Sequence, residues 1–203
     1  MAIKPLPTHP AEALILARAT REVCLRAARL RMMIFDVDGV LTNGVLNYGE
    51  HGETVKQFHA LDGYGLRMLH DIGIEVALMT GRDSPTVARR AADLGLAEVQ
   101  QGVRDKSAAV TALAQRHGFD LDEVGFMGDD IIDLAAMQRV GFAASVAEAP
   151  VYVAQAAHWV ATRPAGFGAA RECCDLILAA QGRLGGFIAS GSRSALTTAG
   201  SPQ

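Results

Sequence analysis

The chain is 203 residues long, the size of one α/β domain with appended ends, and 50% of it is apolar, 20% charged and 5% aromatic. That balance excludes a chain disordered throughout, a collagen-like repeat and a disulfide-stapled miniprotein. Nineteen Lys+Arg against 22 Asp+Glu leave a net charge of −3, which offers no broad electrostatic footprint for nucleic acid or an anionic membrane. The three cysteines, Cys24, Cys173 and Cys174, are odd in number and two are adjacent, so they read as free thiols of a reducing compartment. Residues 1–10 hold one lysine and three prolines but no continuous apolar run. No stretch reaches the roughly 18 apolar residues that a membrane span requires, so the expected location is the cytoplasm.

Residues 1–10 read as an irregular arm, and residues 11–30, rich in Ala, Leu and Arg, as one helix leading into the domain. Met32-Met33-Ile34-Phe35 is a short apolar run ending in Asp36-Val37-Asp38-Gly39, the pattern of a buried parallel strand whose carboxyl end opens into a turn. Residues 44–59 follow as a β-hairpin: Val45-Leu46-Asn47-Tyr48, a Gly- and Glu-rich turn, then Thr54-Val55-Lys56-Gln57-Phe58. Its apolar residues fall on both faces, and a lone two-stranded hairpin is marginal in water, so it should pack against something, such as another subunit.

Strand-like runs then recur at 74–79, 98–101, 124–127 and 141–144, separated by helix-period segments at 65–71, 84–94, 106–117 and 131–139. This alternation predicts the α/β class: a doubly wound parallel sheet covered on both faces, with the hairpin inserted after strand one. The organisation expected is an arm and helix over 1–30, one α/β domain over 31–181, and a flexible tail over 182–203, which ends in Ser, Gly, Thr and Ala without periodicity.

In an open parallel sheet the functional crevice lies at the carboxyl ends of the strands. The polar residues just past each apolar run form a coherent set: Asp36 and Asp38, then Thr80-Gly81-Arg82, then Lys106 at a helix start, then Gly128-Asp129-Asp130 with Asp133 one helical turn on. Several carboxylates at one sheet edge repel unless a hard cation joins them, and oxygen ligands without a full cage suit Mg²⁺, which also takes substrate phosphate oxygens. Thr80, the Gly81 N–H and Lys106 can then cradle a phosphoryl group. One carboxylate can act as nucleophile and a second as acid and base, roles that Asp36 and Asp38 can divide. A calcium-loop reading of Asp36-Val37-Asp38-Gly39 fails, because Val40 and Asn47 stand where that loop needs acidic ligands.

Each piece alone is unspecific; the order is not. With Asp-x-Asp-Gly, Thr-Gly-Arg, Lys and Gly-Asp-Asp at successive strand ends, residues 31–181 resemble the haloacid dehalogenase superfamily of aspartate-nucleophile phosphotransferases. Val40-Leu41-Thr42-Asn43-Gly44 running into the hairpin, Lys56-Gln57-Phe58-His59, Asp62-Gly63-Tyr64-Gly65, residues 125–133 and Ala169-Ala170-Arg171-Glu172-Cys173-Cys174-Asp175-Leu176 are similar to its capless 3-deoxy-D-manno-octulosonate 8-phosphate phosphatase family. The resemblance implies a homotetramer joined through the hairpins and a sugar-acid phosphate substrate from lipopolysaccharide biosynthesis. It also implies Asp36 as nucleophile and Mg²⁺ ligand, Asp38 as acid/base with its carbonyl on the metal, and Asp129 as the third ligand. Thr80, Gly81 and Lys106 would hold the phosphoryl group, and Arg82 and Lys56 would contact the sugar acid.

Asp130 and Asp133 read as orienting groups or helix caps. Cys173 and Cys174 read as core, and His51 and His59 lack the paired spacing of metal ligands. Two departures from the family pattern bear on substrate contact: Ala60-Leu61-Asp62-Gly63 lacks the usual arginine, and Ala165-Gly166-Phe167-Gly168-Ala169 replaces a more glycine-rich stretch. The alternatives are a nine-carbon sugar-acid 9-phosphate as substrate, a receiver-like signalling domain, and a non-catalytic tetrameric scaffold. The Asp-x-Asp pair directly after strand one argues against a receiver, and the full motif set argues against a scaffold.

Overall fold

A computed structural model describes residues 9–190. Its strands are β1 (Met32–Phe35), β2 (Asn47–Gly49), β3 (Gly52–Val55), β4 (Glu75–Met79), β5 (Glu98–Gln100), β6 (Val124–Met127), β7 (Phe142–Ser145) and β8 (Trp159–Val160). The helices are α1 (Pro10–Leu16), α2 (Arg21–Ala27), α3 (Ala60–Asp71), α4 (Pro85–Leu94), α5 (Lys106–His117), α6 (Leu134–Met137), α7 (Val151–Ala156), α8 (Ala169–Ala180) and α9 (Leu184–Ser190). Six strands form one parallel sheet in the order β5-β4-β1-β6-β7-β8, and β2 and β3 pair separately as an antiparallel hairpin.

The strand periodicity of two splits the apolar residues into two cores. Met33, Phe35, Val76, Leu78 and Met127 face the layer made by α1, α2, α3, α4 and α8. Met32, Ile34, Ala77, Met79 and Phe126 face the layer of α5, α6 and α7. All four residues of β1 are fully buried, which is why its sequence is an unbroken apolar run. The chain builds outward from β1 to β4 and β5, then returns to the other side of β1 with β6. That reversal puts the switch point between β1 and β6, where a crevice opens at the strands' carboxyl ends. Among the described residues, no helix is long and apolar enough to cross a membrane.

The doubly wound reading holds, while several boundaries move. The single helix expected over 11–30 is two, α1 and α2, because Thr20 adopts an extended conformation and its hydroxyl accepts from the Val23 N–H as an N-cap. The helix expected from residue 65 begins at Ala60, capped by the His59 side chain, which accepts from the Leu61 N–H. Residues 131–139 hold a 3-10 turn, Ile131–Asp133, followed by the short α6. The tail expected to be flexible from 182 instead begins with α9, where Leu184 and Gly185 are buried and the Gly185 N–H donates to the buried Glu12 carboxylate at 2.7 Å. Of the arm expected over 1–10, Pro10 begins α1 and residues 1–8 lie outside the described residues, as does the tail from 191.

Gly65, a helix-breaking signal by propensity, is a packing contact instead. A Cβ there would lie 2.9 Å from Arg171 Cδ and 3.1 Å from Cys174 Cβ on the facing helix α8. Gly65→Ala should therefore destabilise the protein by about 1–3 kcal/mol through overpacking, measured by chemical denaturation. A gain of about 1 kcal/mol, the ordinary helix-propensity effect, would mean that α3 and α8 are not in close contact.

Candidate active site

The carboxyl ends of β1, β4 and β6 deliver the sequence-predicted residues to one crevice. Asp36 follows β1 and is 4% exposed; its Oδ1 accepts from the Val37 N–H at 2.7 Å and faces Lys106 Nζ at 2.9 Å. Lys106, the first residue of α5 behind the N-cap Asp105, is buried and its ammonium also donates to Asp133 Oδ1 at 2.5 Å. Burial works against this charge, yet Asp36 and Asp133 outweigh it and push the Lys106 pKa up. Asp133 Oδ2 accepts from the N–H groups of Asp129 and Asp130 at 3.0 and 3.1 Å, so both its oxygens are committed to orienting neighbours. Thr80, at the end of β4, is buried and its hydroxyl accepts from the Arg82 N–H at 3.2 Å.

Asp36, Asp129 and Asp133 bring carboxylate oxygens within 4.8 Å of one another. Gly39, at φ +90°, permits this approach: a Cβ there would lie 2.1 Å from Asp129 Oδ2. Asp129 Oδ1 is buried without a hydrogen-bond partner. Burial, followed by the charges of Asp36, Asp133 and Asp130, raises the Asp129 pKa to about 7. Burial and Asp133 likewise raise Asp36 to about 6, with Lys106 opposing.

The hairpin closes over the other side of Asp38. Lys56 Nζ reaches Asp38 Oδ1 and lies 2.9 Å from Glu53 Oε1, and its side chain is only 3% exposed. Burial disfavours its charge, but Asp38 and Glu53 prevail and raise its pKa. The Arg82 guanidinium donates to Tyr48 Oη at 2.8 Å and lies 3.6 Å from Glu53 Oε2 and 4.0 Å from Asp38 Oδ2. Glu53 in the turn and Tyr48 at the end of the first hairpin strand carry no sequence signal of this contact, and the register that pairs them across the hairpin brings both to Arg82. His59 is a helix cap and Asp130 caps the turn that follows it. Cys173 and Cys174 are fully buried, and burial pushes both thiols up, which keeps them inert.

A model of the haloacid dehalogenase-like hydrolases matches residues 94–170. The 3-deoxy-D-manno-octulosonate 8-phosphate phosphatase of Haemophilus influenzae is 44% identical over 154 residues, 76% of this chain and 86% of that protein. The chain belongs to that phosphatase family. The crystal structure of the Yersinia pestis phosphatase superposes with a TM-score of 0.80 at 41% identity, over 82% of this chain and 90% of that one. The Moraxella catarrhalis phosphatase, solved in complex with magnesium ion, phosphate ion and KDO, superposes with a TM-score of 0.83 at 36% identity, over 85% of this chain and 99% of that one.

The donor set of this family member fits a hard divalent cation. Every candidate ligand atom is a carboxylate or carbonyl oxygen, and the three clustered carboxylates, once ionised, outnumber the one buried ammonium by two charges. Asp129 Oδ1 has no hydrogen-bond partner and Asp36 Oδ1 is held by Lys106, whereas the Asp38 carboxylate is engaged by Lys56.

The raised pKa values carry a sign. Between about pH 4 and 7 the folded chain holds protons on Asp36 and Asp129 that the unfolded chain has released, so the metal-free fold loses stability as pH rises through that window. A cation must expel those protons at about pH 5 but finds bare carboxylates at about pH 8. The melting temperature of EDTA-treated protein should therefore rise more on Mg²⁺ addition at the higher pH. An equal rise at both would place the cation elsewhere.

Proposed function

We infer that this protein is a Mg²⁺-dependent phosphomonoesterase that hydrolyses 3-deoxy-D-manno-octulosonate 8-phosphate to the free sugar acid and inorganic phosphate, acting in the cytoplasm in lipopolysaccharide biosynthesis. The observation that carries the reading is the Asp36 carboxylate held by the buried Lys106 ammonium at the switch point, with Asp38 two residues on and Asp129 opposite.

In this reading Asp36 attacks the phosphorus through the oxygen not held by Lys106, giving an aspartyl-phosphate and releasing the sugar alcohol. Asp38 protonates the leaving oxygen and then takes a proton from the water that cleaves the acyl phosphate. Thr80, the Gly81 N–H and Lys106 hold the equatorial oxygens where negative charge gathers. When bound, Mg²⁺ held by Asp36, Asp129 and the Asp38 carbonyl supplies charge neutralisation of the phosphoryl group. Arg82 and Lys56, paired with Glu53 in this structure, turn to the sugar-acid carboxylate.

Asp36→Asn removes the nucleophile's charge at nearly constant volume. Phosphate release from the eight-carbon substrate with Mg²⁺ should fall by about four orders of magnitude, with the circular dichroism spectrum unchanged. Comparable activity in the variant would refute the nucleophile, and release from a nine-carbon sugar-acid 9-phosphate alone would move the substrate while keeping the chemistry.

The assembly proposed is a homotetramer through the hairpins. Val45 (59%), Tyr48 (63%) and Val55 (50%) are exposed apolar residues on an element too small to be stable alone. Val45→Asp with Val55→Asp should lower the sedimentation coefficient to that of a smaller species; an unchanged coefficient would exclude the hairpin as the interface.

A further inference from the structure

A second pocket, which shares no residue with the Asp36 cluster, opens where α1, β8 and α8 meet. It has a volume of about 320 Å³. Arg18, just past the end of α1, Arg163 after β8, and Arg171 from α8 all line it. Two carboxylates also line it, but neither is available to these cations as a group. Glu172 accepts from the Thr162 N–H and hydroxyl, both at 2.8 Å, and from the Arg163 N–H at 3.0 Å. Asp175 takes Arg171 Nε at 2.8 Å. Arg18 and Arg163 have no carboxylate within ion-pair distance among the described residues. The remaining wall is apolar: the half-buried Trp159 ring, with Ile15 and Leu176.

We propose that this pocket binds a small organic anion, a phosphate or carboxylate carried on a flat or apolar body. The chemistry follows from the lining. Two guanidiniums without an ion-pair carboxylate line the pocket from different elements and offer planar, bidentate donors suited to such oxyanions. The indole beside them offers a face for the ligand's body, and a concave site with few convergent charges on apolar walls is the general form of a small-molecule site.

The pocket also connects to the crevice. The loop after β8 gives Thr162 and Arg163 to this pocket, and it gives Pro164, Ala165 and Phe167 to a cleft of about 380 Å³ that contains Gly39 and Asp129. An anion seated between Arg18 and Arg163 therefore bears on a loop that walls the catalytic crevice. The proposal does not depend on the phosphatase reading, because none of the residues it uses belongs to that site.

Trp159 is the chain's single tryptophan, so its fluorescence reports this pocket alone. The probe is phenylphosphonate, with neutral benzyl alcohol as the comparison, titrated into the full-length protein. A saturable change in Trp159 emission is expected with phenylphosphonate and not with benzyl alcohol. It should persist in Asp36→Asn and weaken at least about tenfold in the exposed double variant Arg18→Ala/Arg163→Ala. The proposal is overturned by the absence of a saturable change, by a change that survives the double variant or is lost in Asp36→Asn, or, from wild-type protein alone, by an equal response to benzyl alcohol.

Discussion

The structure turns on one buried ammonium. Lys106 lies between Asp36 and Asp133, all three nearly inaccessible to water. It sits at the amino end of α5, where the helix dipole disfavours a cation, so the two carboxylates are what hold it charged. Burying such a group is costly, and removing one partner strands the others, at about 3–5 kcal/mol for a typical buried pair. The arrangement is therefore weak evidence for stability and strong evidence for a site. Its geometry leaves Asp36 with one oxygen engaged and one free, and fixes Asp133 so firmly that it orients the Asp129 loop rather than competing for a ligand.

The fold supplies that geometry through topology. Because β1 is flanked by β4 and β6, three segments distant in sequence end side by side, and their last residues become neighbours. The turn after Asp38 must be glycine, since Asp129 lies where the side chain of any other residue would stand. On the opposite side the hairpin brings Lys56 and Glu53 to Asp38 and Arg82. The crevice therefore has an acidic wall and a charge-paired wall.

Much of this is legible in the sequence because buried parallel strands read as apolar runs and the polar residue after each run falls at the carboxyl edge of the sheet. The run at 124–127 and the helix at 106–117 coincide with β6 and α5. What is not legible depends on long-range contact. Gly65 lies in an expected helix and shows nothing of its close contact until α8 is packed against it. Residues 184–190 lack strong periodicity and are held through Leu184 and the Gly185 N–H on Glu12, a partner 173 positions away. Glu53 acquires a role only when the hairpin folds back on Asp38. The charge at the first turn of α3, absent with Leu61, is a departure that the sequence displays openly, and the structure shows that side chain exposed.

The most direct test of the account is the position of the metal. Anomalous scattering from crystals equilibrated with Mn²⁺ as a stand-in for Mg²⁺ should show one ion per chain between Asp36 and Asp129, with Lys106 still bridging Asp36 and Asp133. An ion bound instead to Asp133 with Lys106 displaced, or no ion between Asp36 and Asp129, would contradict the claim that the buried ammonium and the metal divide the carboxylates between them.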